Sequence, residues 1–456
     1  MPQFNRRAFL RNVPLSALAG AAGAGFSRPA KADEPSTAAN GKFDFDTPYN
    51  RIGTDSIKWD YEIRRYGLKH IVAGMGVADI DFPCAPAITK ALQERIHHEV
   101  WGYLDTPKSF VDGIVNWNKR RYHLDIDPET IGIATGVHPG INATLRAFCP
   151  PGSKVLLTTP TYNGFYSDIS FNHLTPNESL MKFENGRYSI DFEDFERRID
   201  HNTNAFILCN PQNPTGNTWS REELTRMGEI CLRRRVLVLA DEIHCDFVNG
   251  GGKYTPFASL ENRDIVNNSI TFKAGSKSFG LAAMKCGWFF STNPEILRAV
   301  NANNRADLST LGMIANKAAY AEGEEWLNQC VAYIDGNHDF VQSYFQTNNM
   351  SGLIKPLAKA HGTYLMWLDV TGLANRIGAQ EMARKAPKEM TFTGESVQPS
   401  PEDMIASWLA HKAGCCLNSG TSYGKGGENH LRMNIGTSRK TLKAGLDAIS
   451  QACKTA

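Results

Sequence analysis

The stretch "VLVLADEIHCDF", residues 236–247, passes from an apolar, β-branched run into two carboxylates and a histidine. Such a short run, bounded by polar residues, predicts a buried strand that ends at Asp241. Helical patterns lie between this run and its neighbours, and the clearest opens with a capping box of Ser220 and Glu223. Similar runs are "KVLLTTP", "NAFILCNP", "SITFKAG" and "GWFFSTN". Strands that alternate with helices predict an α/β protein with a largely parallel sheet.

Polar motifs follow three of these predicted strands. "NPQNPTG" (210–216) follows the strand that ends near Cys209, Asp241 ends the next strand, and Ser276 and Lys277 follow "SITFKAG". In open α/β sheets, ligands bind outside the carboxyl ends of the strands. We therefore expect the three motifs to converge on one ligand site.

Bulk composition excludes several classes of protein. The chain has 456 residues, of which 42% are hydrophobic and 21% charged, and this length favours two packed domains. The formal charge of +2 gives no basic footprint, so no nucleic-acid partner is expected. No apolar run reaches the roughly 18 residues of a spanning helix, so no stable membrane anchor is expected.

The N-terminus has the pattern of an export signal. "NRRAFLRNVPLSALAGAAGAGFSRPAKA" (5–32) places paired arginines, Arg6 and Arg7, before an apolar stretch and a small-residue end. This order predicts a twin-arginine signal peptide over residues 1–32, a polar linker over 33–42, and a periplasmic protein that uses the twin-arginine export machinery. The alternative is a disordered tail rich in alanine and glycine.

The cysteines do not form a disulfide or metal pattern. The chain has ten, scattered except for Cys415 and Cys416, and no C-x-x-C spacing occurs. A protein that folds in the cytoplasm before export meets reducing conditions first. We expect mostly free, buried cysteines and no metal site.

The residues at the predicted site suit pyridoxal 5'-phosphate. A lysine amine such as that of Lys277 forms a Schiff base with an aldehyde cofactor. This cofactor also needs a carboxylate at its pyridine nitrogen, a donor at its phenolic oxygen and an aromatic face, which Asp241, Asn213 and Tyr162 supply. Taken singly, each residue has a structural alternative: a helix cap, a turn or a packing contact.

A phosphate cup and a carboxylate site complete the set. "TGVHPGINATL" (135–145) puts a glycine turn before a predicted helix, so that the N–H groups of Val137 and His138 face a phosphate. Ser276 and Lys285 are candidates to complete that cup. Arg432 in "LRMNIG" has the planar fork that pairs with a substrate carboxylate.

The spacing of these motifs carries a family resemblance. Asp241 lies 28 residues after Asn213, and Lys277 lies 36 residues after Asp241. N-P-x-N-P-T-G, D-E-I-H and S-K-S-F-G at these intervals resemble the fold-type I, class I/II pyridoxal-phosphate-dependent aminotransferase family. The resemblance implies that Lys277 is both the covalent anchor of the cofactor and the base at the substrate Cα.

The same resemblance implies an architecture. A large cofactor-binding domain with a mostly parallel sheet is expected over residues 81–314, and a smaller α+β domain over 315–456. The segment 43–80 is expected to join the small domain, and 374–402, which is polar and proline-containing, is expected to be a surface insertion. Tyr103 in "WGY" is implied to reach the cofactor phosphate of a neighbouring subunit in a homodimer with shared active sites.

The branch of the family is less sharply marked. "RIGTDSIKWD", "VADIDFPCAPAI", "WGYLDTP" and "DEIHCDF" resemble the cystathionine β-lyase/C–S lyase branch, of which His244, in the cofactor site, is a feature. Gly280 departs from the asparagine of many branch members and matches many true aminotransferases. The insertion and the leader also depart from the branch.

These departures favour an aminotransferase. The expected substrate is an amino acid or a small peptide-like metabolite, for example a glutamyl group converted to a keto acid during tailoring of a siderophore. One alternative is a C–S lyase that releases pyruvate, ammonia and a thiol. A second is a pyridoxal-phosphate-binding regulator without turnover.

Overall fold

A computed structural model describes residues 41–357, 359–390 and 396–456. The predicted signal peptide (1–32) and nearly all of the predicted linker (33–42) lie outside these described residues. No helix within the described ranges has the length and apolar character needed to cross a membrane.

The strands within the described ranges are, in chain order, β1 (Ala73–Gly74), β2 (Ile131–Ala134), β3 (Lys154–Thr159), β4 (Thr175–Leu180), β5 (Lys182–Glu184), β6 (Arg187–Ser189), β7 (Thr203–Cys209), β8 (Leu237–Asp241), β9 (Ser269–Lys273), β10 (Gly287–Phe290), β11 (Lys355–Pro356), β12 (Leu365–Asp369), β13 (Glu389–Met390), β14 (Ser396–Val397), β15 (Cys415–Cys416), β16 (Asn418–Ser419) and β17 (His430–Asn434).

The α-helices of the same ranges are α1 (Glu62–Tyr66), α2 (Pro86–Ile96), α3 (Lys108–Tyr122), α4 (Val137–Phe148), α5 (Gly164–Phe171), α6 (Phe192–Arg198), α7 (Arg221–Arg234), α8 (Arg263–Asn267), α9 (Gly275–Ser278), α10 (Pro294–Asn303), α11 (Thr310–Glu322), α12 (Glu324–Thr347), α13 (Thr371–Ile377), α14 (Ala379–Lys385), α15 (Pro401–Ala413) and α16 (Arg439–Lys454).

A seven-stranded sheet forms the centre of the larger part of the chain. Its order is β2-β10-β9-β8-β7-β3-β4. The strands from β9 to β4 are parallel to their neighbours, whereas β10 runs antiparallel to both β9 and β2. The α/β fold with a largely parallel sheet is therefore confirmed.

Burial on both faces explains the continuous apolar runs. Every residue of β8 and β9 is buried, as expected of a parallel sheet covered by helices on both sides. The helix α7 begins with the predicted capping box, in which Ser220 and Glu223 each accept a backbone N–H of the other. The carboxyl ends of β7, β8 and β9 bring the three polar motifs to the same edge of the sheet.

A smaller antiparallel sheet, in the order β11-β12-β17-β16, lies in the C-terminal part. The N-terminal segment pairs with the C-terminal part in a separate two-stranded sheet, in which β1 runs parallel to β15. Residues 374–402, expected to be a surface insertion, include the end of α13, the helix α14 and the exposed strands β13 and β14. The helix α14 packs on α15 and buries Ala379.

A buried ion pair fixes the N-terminal segment. Lys58 Nζ lies 2.8 Å from Asp81 Oδ2, and the side chains of both residues are almost fully buried. Asp81 also accepts hydrogen bonds from Trp59 Nε1 and Arg51 Nη1, each at 3.0 Å. Lys58 Nζ additionally donates to the Asp79 carbonyl oxygen at 2.8 Å. These contacts hold the backbone of residues 76–81, which enters the site described below.

The cysteines follow the prediction. All ten are free, and all but Cys84 are buried. Burial raises the pKa of Cys415 and Cys416 to about 12, which keeps both thiols protonated.

Replacing Lys58 with methionine is expected to lower the free energy of unfolding by about 3 kcal/mol, because one partner of a buried ion pair is removed. The measurement is denaturant unfolding of the holoprotein. The matched control is Lys69→Met at an exposed lysine, which is expected to change the free energy of unfolding by less than about 0.5 kcal/mol. Equal stability of the two variants would contradict this assignment.

Candidate active site

Lys277 lies on α9, directly after β9, and is half-buried. Its Nζ donates a hydrogen bond to the Ala78 carbonyl oxygen at 2.7 Å. Burial lowers the pKa of Lys277 from 10.5 to about 8, and the positive charges of Arg432 and Lys285 act in the same direction. Asp79 and Asp241 oppose this shift only in part. Lys277 is therefore an amine whose neutral fraction near neutral pH is much larger than that of an ordinary lysine.

Asp241 ends β8 and is buried. Burial raises the pKa of its carboxyl to about 6, although the Ile243 N–H, His138 and Lys277 favour the carboxylate. The carboxylate is thus mostly ionised at neutral pH and can hold a protonated ring nitrogen.

Arg432 is a buried cation on β17. Its Nη1 donates to Asn213 Oδ1 at 3.1 Å and its Nη2 donates to the Gly76 carbonyl oxygen at 2.6 Å. No carboxylate among the described residues pairs with it, and its Nε has no protein partner within those residues. A buried guanidinium in this condition fits the predicted contact with an anion such as a carboxylate.

The bond to Arg432 also orients Asn213. Because Asn213 Oδ1 accepts from the guanidinium, the NH₂ group of the amide is left to donate elsewhere in the site. This orientation fits the predicted donor to a phenolic oxygen.

The N-terminus of α4 forms the proposed phosphate cup. Gly136 precedes the helix at φ +140°, and Val137 and His138 occupy its first positions. Gly287 packs closely against this turn: a Cβ there would lie 2.9 Å from the Gly136 carbonyl carbon. The free N–H groups of a helix start favour an anion.

Two further residues were predicted for the cup. Ser276 is half-buried and immediately precedes Lys277. Lys285 is exposed at φ +50°, and its charge reaches Lys277. Their positions agree with a cup near the lysine, and their contact with phosphate stays a prediction.

Tyr162 belongs to a cluster with His138, Phe165 and Asp168. Its hydroxyl lies 3.2 Å from His138 Nε2, and its ring meets Phe165 edge to face at 5.4 Å between centroids. His138 Nδ1 lies 2.6 Å from Asp168 Oδ2. Burial raises the pKa of Tyr162, and the charges of Arg432 and Asp241 both reach its hydroxyl. The aromatic face predicted for the cofactor therefore belongs to this cluster.

His244 is buried three residues after the end of β8. Its Nδ1 has no hydrogen-bond partner among the described residues, and its ring meets Tyr364 at 5.7 Å. Burial, followed by the charges of Lys277 and Arg432, places the pKa of His244 well below its usual value. A neutral imidazole whose Nδ1 has no hydrogen-bond partner among the described residues fits a contact with a bound ligand.

Tyr103 does not enter the site of its own chain. Its side chain is fully exposed, and so are large parts of Trp101 and Val100 beside it. Its predicted reach into the site of a second subunit stays a prediction.

Sequence reasoning missed several residues that shape the site. Asp168 orients His138, and the carbonyls of Gly76 and Ala78 hold the two cations. The Tyr364 hydroxyl also donates to the Ala78 carbonyl oxygen at 3.1 Å. In the sequence, "VADIDF" indicated only a resemblance to the family. The roles of Gly76 and Ala78 could not be predicted, because a backbone carbonyl oxygen can accept a hydrogen bond whatever the residue type.

Comparison with known proteins gives one matching family. The model of the family described as aminotransferase class I and II matches residues 70–449. Cystathionine beta-lyase PatB of Bacillus subtilis (strain 168) is 34% identical over 90% of this chain and 99% of its own length.

Solved structures agree with this match. The pyridoxal-phosphate-bound C-S lyase of Staphylococcus hominis is 26% identical, with a TM-score of 0.78 over 90% of this chain and 98% of its own. A pyridoxal-phosphate-bound protein of Clostridium difficile 630, provisionally described as an aminotransferase, is 30% identical, with a TM-score of 0.80 over 90% of this chain and 100% of its own.

The site fits pyridoxal 5'-phosphate. The buried Asp241 suits the ring nitrogen, the helix start at Val137 suits the phosphate, and Lys277 supplies an amine of lowered pKa. Nδ1 of His244 and Nε of Arg432, which have no hydrogen-bond partner within the described ranges, are polar atoms that ligands would satisfy.

The preference for an aminotransferase over a lyase is not supported by the names of these relatives, which favour the lyase alternative. Gly280, one reason for that preference, lies at φ +68°. Asparagine is the residue that, after glycine, most readily adopts this left-handed conformation. The exchange of glycine and asparagine here therefore meets a backbone requirement and does not distinguish the two reactions.

Lys277 is expected to attach the cofactor with a pH dependence set by its lowered pKa. Only the neutral amine attacks an aldehyde, so the attachment rate of cofactor-free protein should rise with a midpoint near pH about 8 and level off at higher pH. The measurement is the cofactor absorbance after mixing, followed by borohydride reduction and peptide mapping to residue 277.

The Lys285→Ala variant tests the cause. Removing a positive charge that lowers the pKa of Lys277 should move the midpoint of this profile to higher pH. In the wild-type protein, a reduced label on Lys285 in place of Lys277, or an attachment rate that rises steadily past pH about 10, would refute the assignment.

Proposed function

The chain belongs to the aminotransferase class I and II family, and we propose that it catalyses β-elimination at a carbon–sulfur bond of an amino acid. It is a pyridoxal 5'-phosphate-dependent enzyme with a small-molecule substrate. The proposed products are pyruvate, ammonia and a thiol. The similarity to cystathionine beta-lyase PatB, which covers nearly the whole of both proteins, supports the reaction class.

The buried guanidinium of Arg432 carries the proposal that the substrate is an amino acid. It lacks a carboxylate partner among the described residues and retains a free Nε. A substrate α-carboxylate would satisfy this group and would fix the direction of the bonds at Cα. An amine without a carboxylate would leave a buried charge uncompensated.

The chain's own residues supply the proton transfer. When bound, pyridoxal 5'-phosphate withdraws electrons from the substrate Cα. Lys277 Nζ, with a pKa of about 8, accepts the Cα proton in its neutral form. The electron pair of that bond forms a Cα–Cβ double bond, and the Cβ–S electron pair leaves with sulfur. Hydrolysis of the unsaturated product then gives pyruvate and ammonia.

The test is product analysis with the purified holoenzyme. With cystathionine or a cysteine S-conjugate, we expect equal amounts of pyruvate, ammonia and thiol. The Arg432→Met variant should raise KM for these substrates by about 10²-fold, which corresponds to about 3 kcal/mol.

The other outcomes are equally informative. Release of a keto acid with the thioether carbon skeleton intact, dependent on a second keto acid, would replace this proposal with transamination. Retention of a normal KM in Arg432→Met would remove the assignment of the carboxylate site. Siderophore tailoring, which was predicted as a substrate context, stays a prediction.

We also propose export to the periplasm by the twin-arginine route, on the order of the basic, apolar and small-residue regions over residues 1–32. Replacing Arg6 and Arg7 together with lysine should retain unprocessed protein inside the cell. Cell fractionation and immunoblotting measure this, and the matched control is Arg11→Lys, a nearby arginine outside the pair. Normal export of the double variant would refute the route.

A further inference from the structure

The side chain of His138 lies between the active site and a surface cavity. The cavity, of about 500 Å³, is lined by His138, Asn142, Arg146, Ser167 and Asp168, among other residues. On the other side, His138 Nε2 lies 3.2 Å from the Tyr162 hydroxyl. The charges of Arg432 and Asp241 both affect the pKa of that hydroxyl. Only the backbone of His138 has a place in the predicted phosphate cup, so its imidazole has no assigned role.

Asp168 is held so that it accepts from His138. Its Oδ2 lies 2.6 Å from His138 Nδ1, and its Oδ1 accepts from Asn142 Nδ2 at 2.6 Å. Asn142 is fixed in turn by its bond to the His138 carbonyl oxygen and by Asn172. An ionised Asp168 has acceptors only, so the proton between the pair belongs to His138 Nδ1.

We propose that Asp168, His138 and Tyr162 form a proton relay in which the protonation state of His138 sets the direction of the Tyr162 hydroxyl bond. In neutral His138, Nδ1–H donates to Asp168, and Nε2 accepts from the tyrosine O–H. In the imidazolium, Nε2–H donates to the Tyr162 oxygen, and the tyrosine hydrogen is free to donate to a bound ligand.

Nearby charges favour the protonated form of His138. The titratable groups that act on His138 are Asp168 on α5, the Tyr162 hydroxyl, Asp241 at the end of β8 and Lys277 on α9. The Arg146 guanidinium, on the same helix as His138, lines the same cavity. Burial disfavours the imidazolium, but Asp168, assisted by Asp241, outweighs burial and Lys277 and raises the pKa of His138 above its usual value. The exposed part of the ring meets solvent in the cavity, which can restore a lost proton.

The relay has a specific use in the lyase reaction, and this step rests on the function proposed above. As the Cβ–S bond breaks, sulfur takes the electron pair and receives the Tyr162 hydroxyl proton. The His138 Nε2 proton passes to the Tyr162 oxygen and leaves a neutral imidazole. His138 is thus a positioning residue that acts through Tyr162.

Gly164 offers a way to break the relay without removing a titratable group. A Cβ at this position would lie 2.6 Å from both His138 Cε1 and Tyr162 Cε1. Gly164→Ala is therefore expected to separate the two rings. The matched control is Gly352→Ala, where an added Cβ meets no atom within 4 Å.

The decisive test is nitrogen NMR of the holoenzyme with ¹⁵N-labelled histidine, with His138 assigned from the His138→Gln variant. The wild-type protein should show the Nδ1–H tautomer once neutral. In Asp168→Asn the amide still accepts from Asn142 but no longer accepts from Nδ1. The neutral ring should then change to the Nε2–H tautomer, and its pKa should fall. An unchanged tautomer would overturn the relay.

A kinetic comparison tests its use. With a cysteine S-alkyl conjugate, whose thiolate needs a proton, kcat should fall as pH rises through the pKa of His138. With β-chloroalanine, whose chloride leaves without a proton, this decrease of kcat at high pH should be absent. With the S-alkyl conjugate, kcat of Gly164→Ala should no longer show this decrease at high pH, whereas kcat of Gly352→Ala should still show it. Identical pH profiles for the two substrates would overturn this role of the relay. If the enzyme eliminates neither substrate, the lyase proposal fails, while the tautomer result still decides whether the relay exists.

Discussion

The site depends on how Arg432 and Lys277 are held, because neither pairs with a carboxylate among the residues that the structure describes. Arg432 and Lys277 donate to the carbonyl oxygens of Gly76 and Ala78, which lie two residues apart on one segment. A carboxylate partner would neutralise the guanidinium and raise the pKa of the amine. Carbonyl dipoles satisfy individual N–H groups while leaving the net charge of Arg432 available to an anion and the amine of Lys277 free to lose its proton.

That segment therefore has to be rigid, and its own contacts explain its rigidity. Asn434 Nδ2 donates to the carbonyl oxygens of Val77, at 2.5 Å, and Asp79, at 2.7 Å. The buried Lys58 donates to the same Asp79 carbonyl and pairs with Asp81. The ion pair between Lys58 and Asp81 is thus part of the structure that positions Lys277.

Sequence patterns were sufficient for the features that depend on local residue type. Buried parallel strands appear as apolar runs, and the carboxyl ends of neighbouring strands share an edge, so the convergence of Asn213, Asp241 and Lys277 followed from chain order. The bonds from Lys277 and Arg432 to the carbonyl oxygens of Ala78 and Gly76 did not follow, because they join residues about 200 to 360 positions apart and use backbone oxygens. Asp168 was missed for a similar reason, since a single aspartate in a helix has no local signature.

The lyase and aminotransferase reactions differ in which protons are transferred after the Cα proton is removed. Burial favours the uncharged forms of Lys277, Asp241 and His244, so the base at Cα is prepared for either reaction. His138 is the contrasting case, because Asp168 favours its charged form despite burial. Transamination returns the proton taken from Cα and needs no acid for a leaving group, whereas loss of a thiolate is assisted by a second proton. In the proposed relay, a His138 imidazole whose charged form is favoured would assist elimination, whereas simple transamination does not require it.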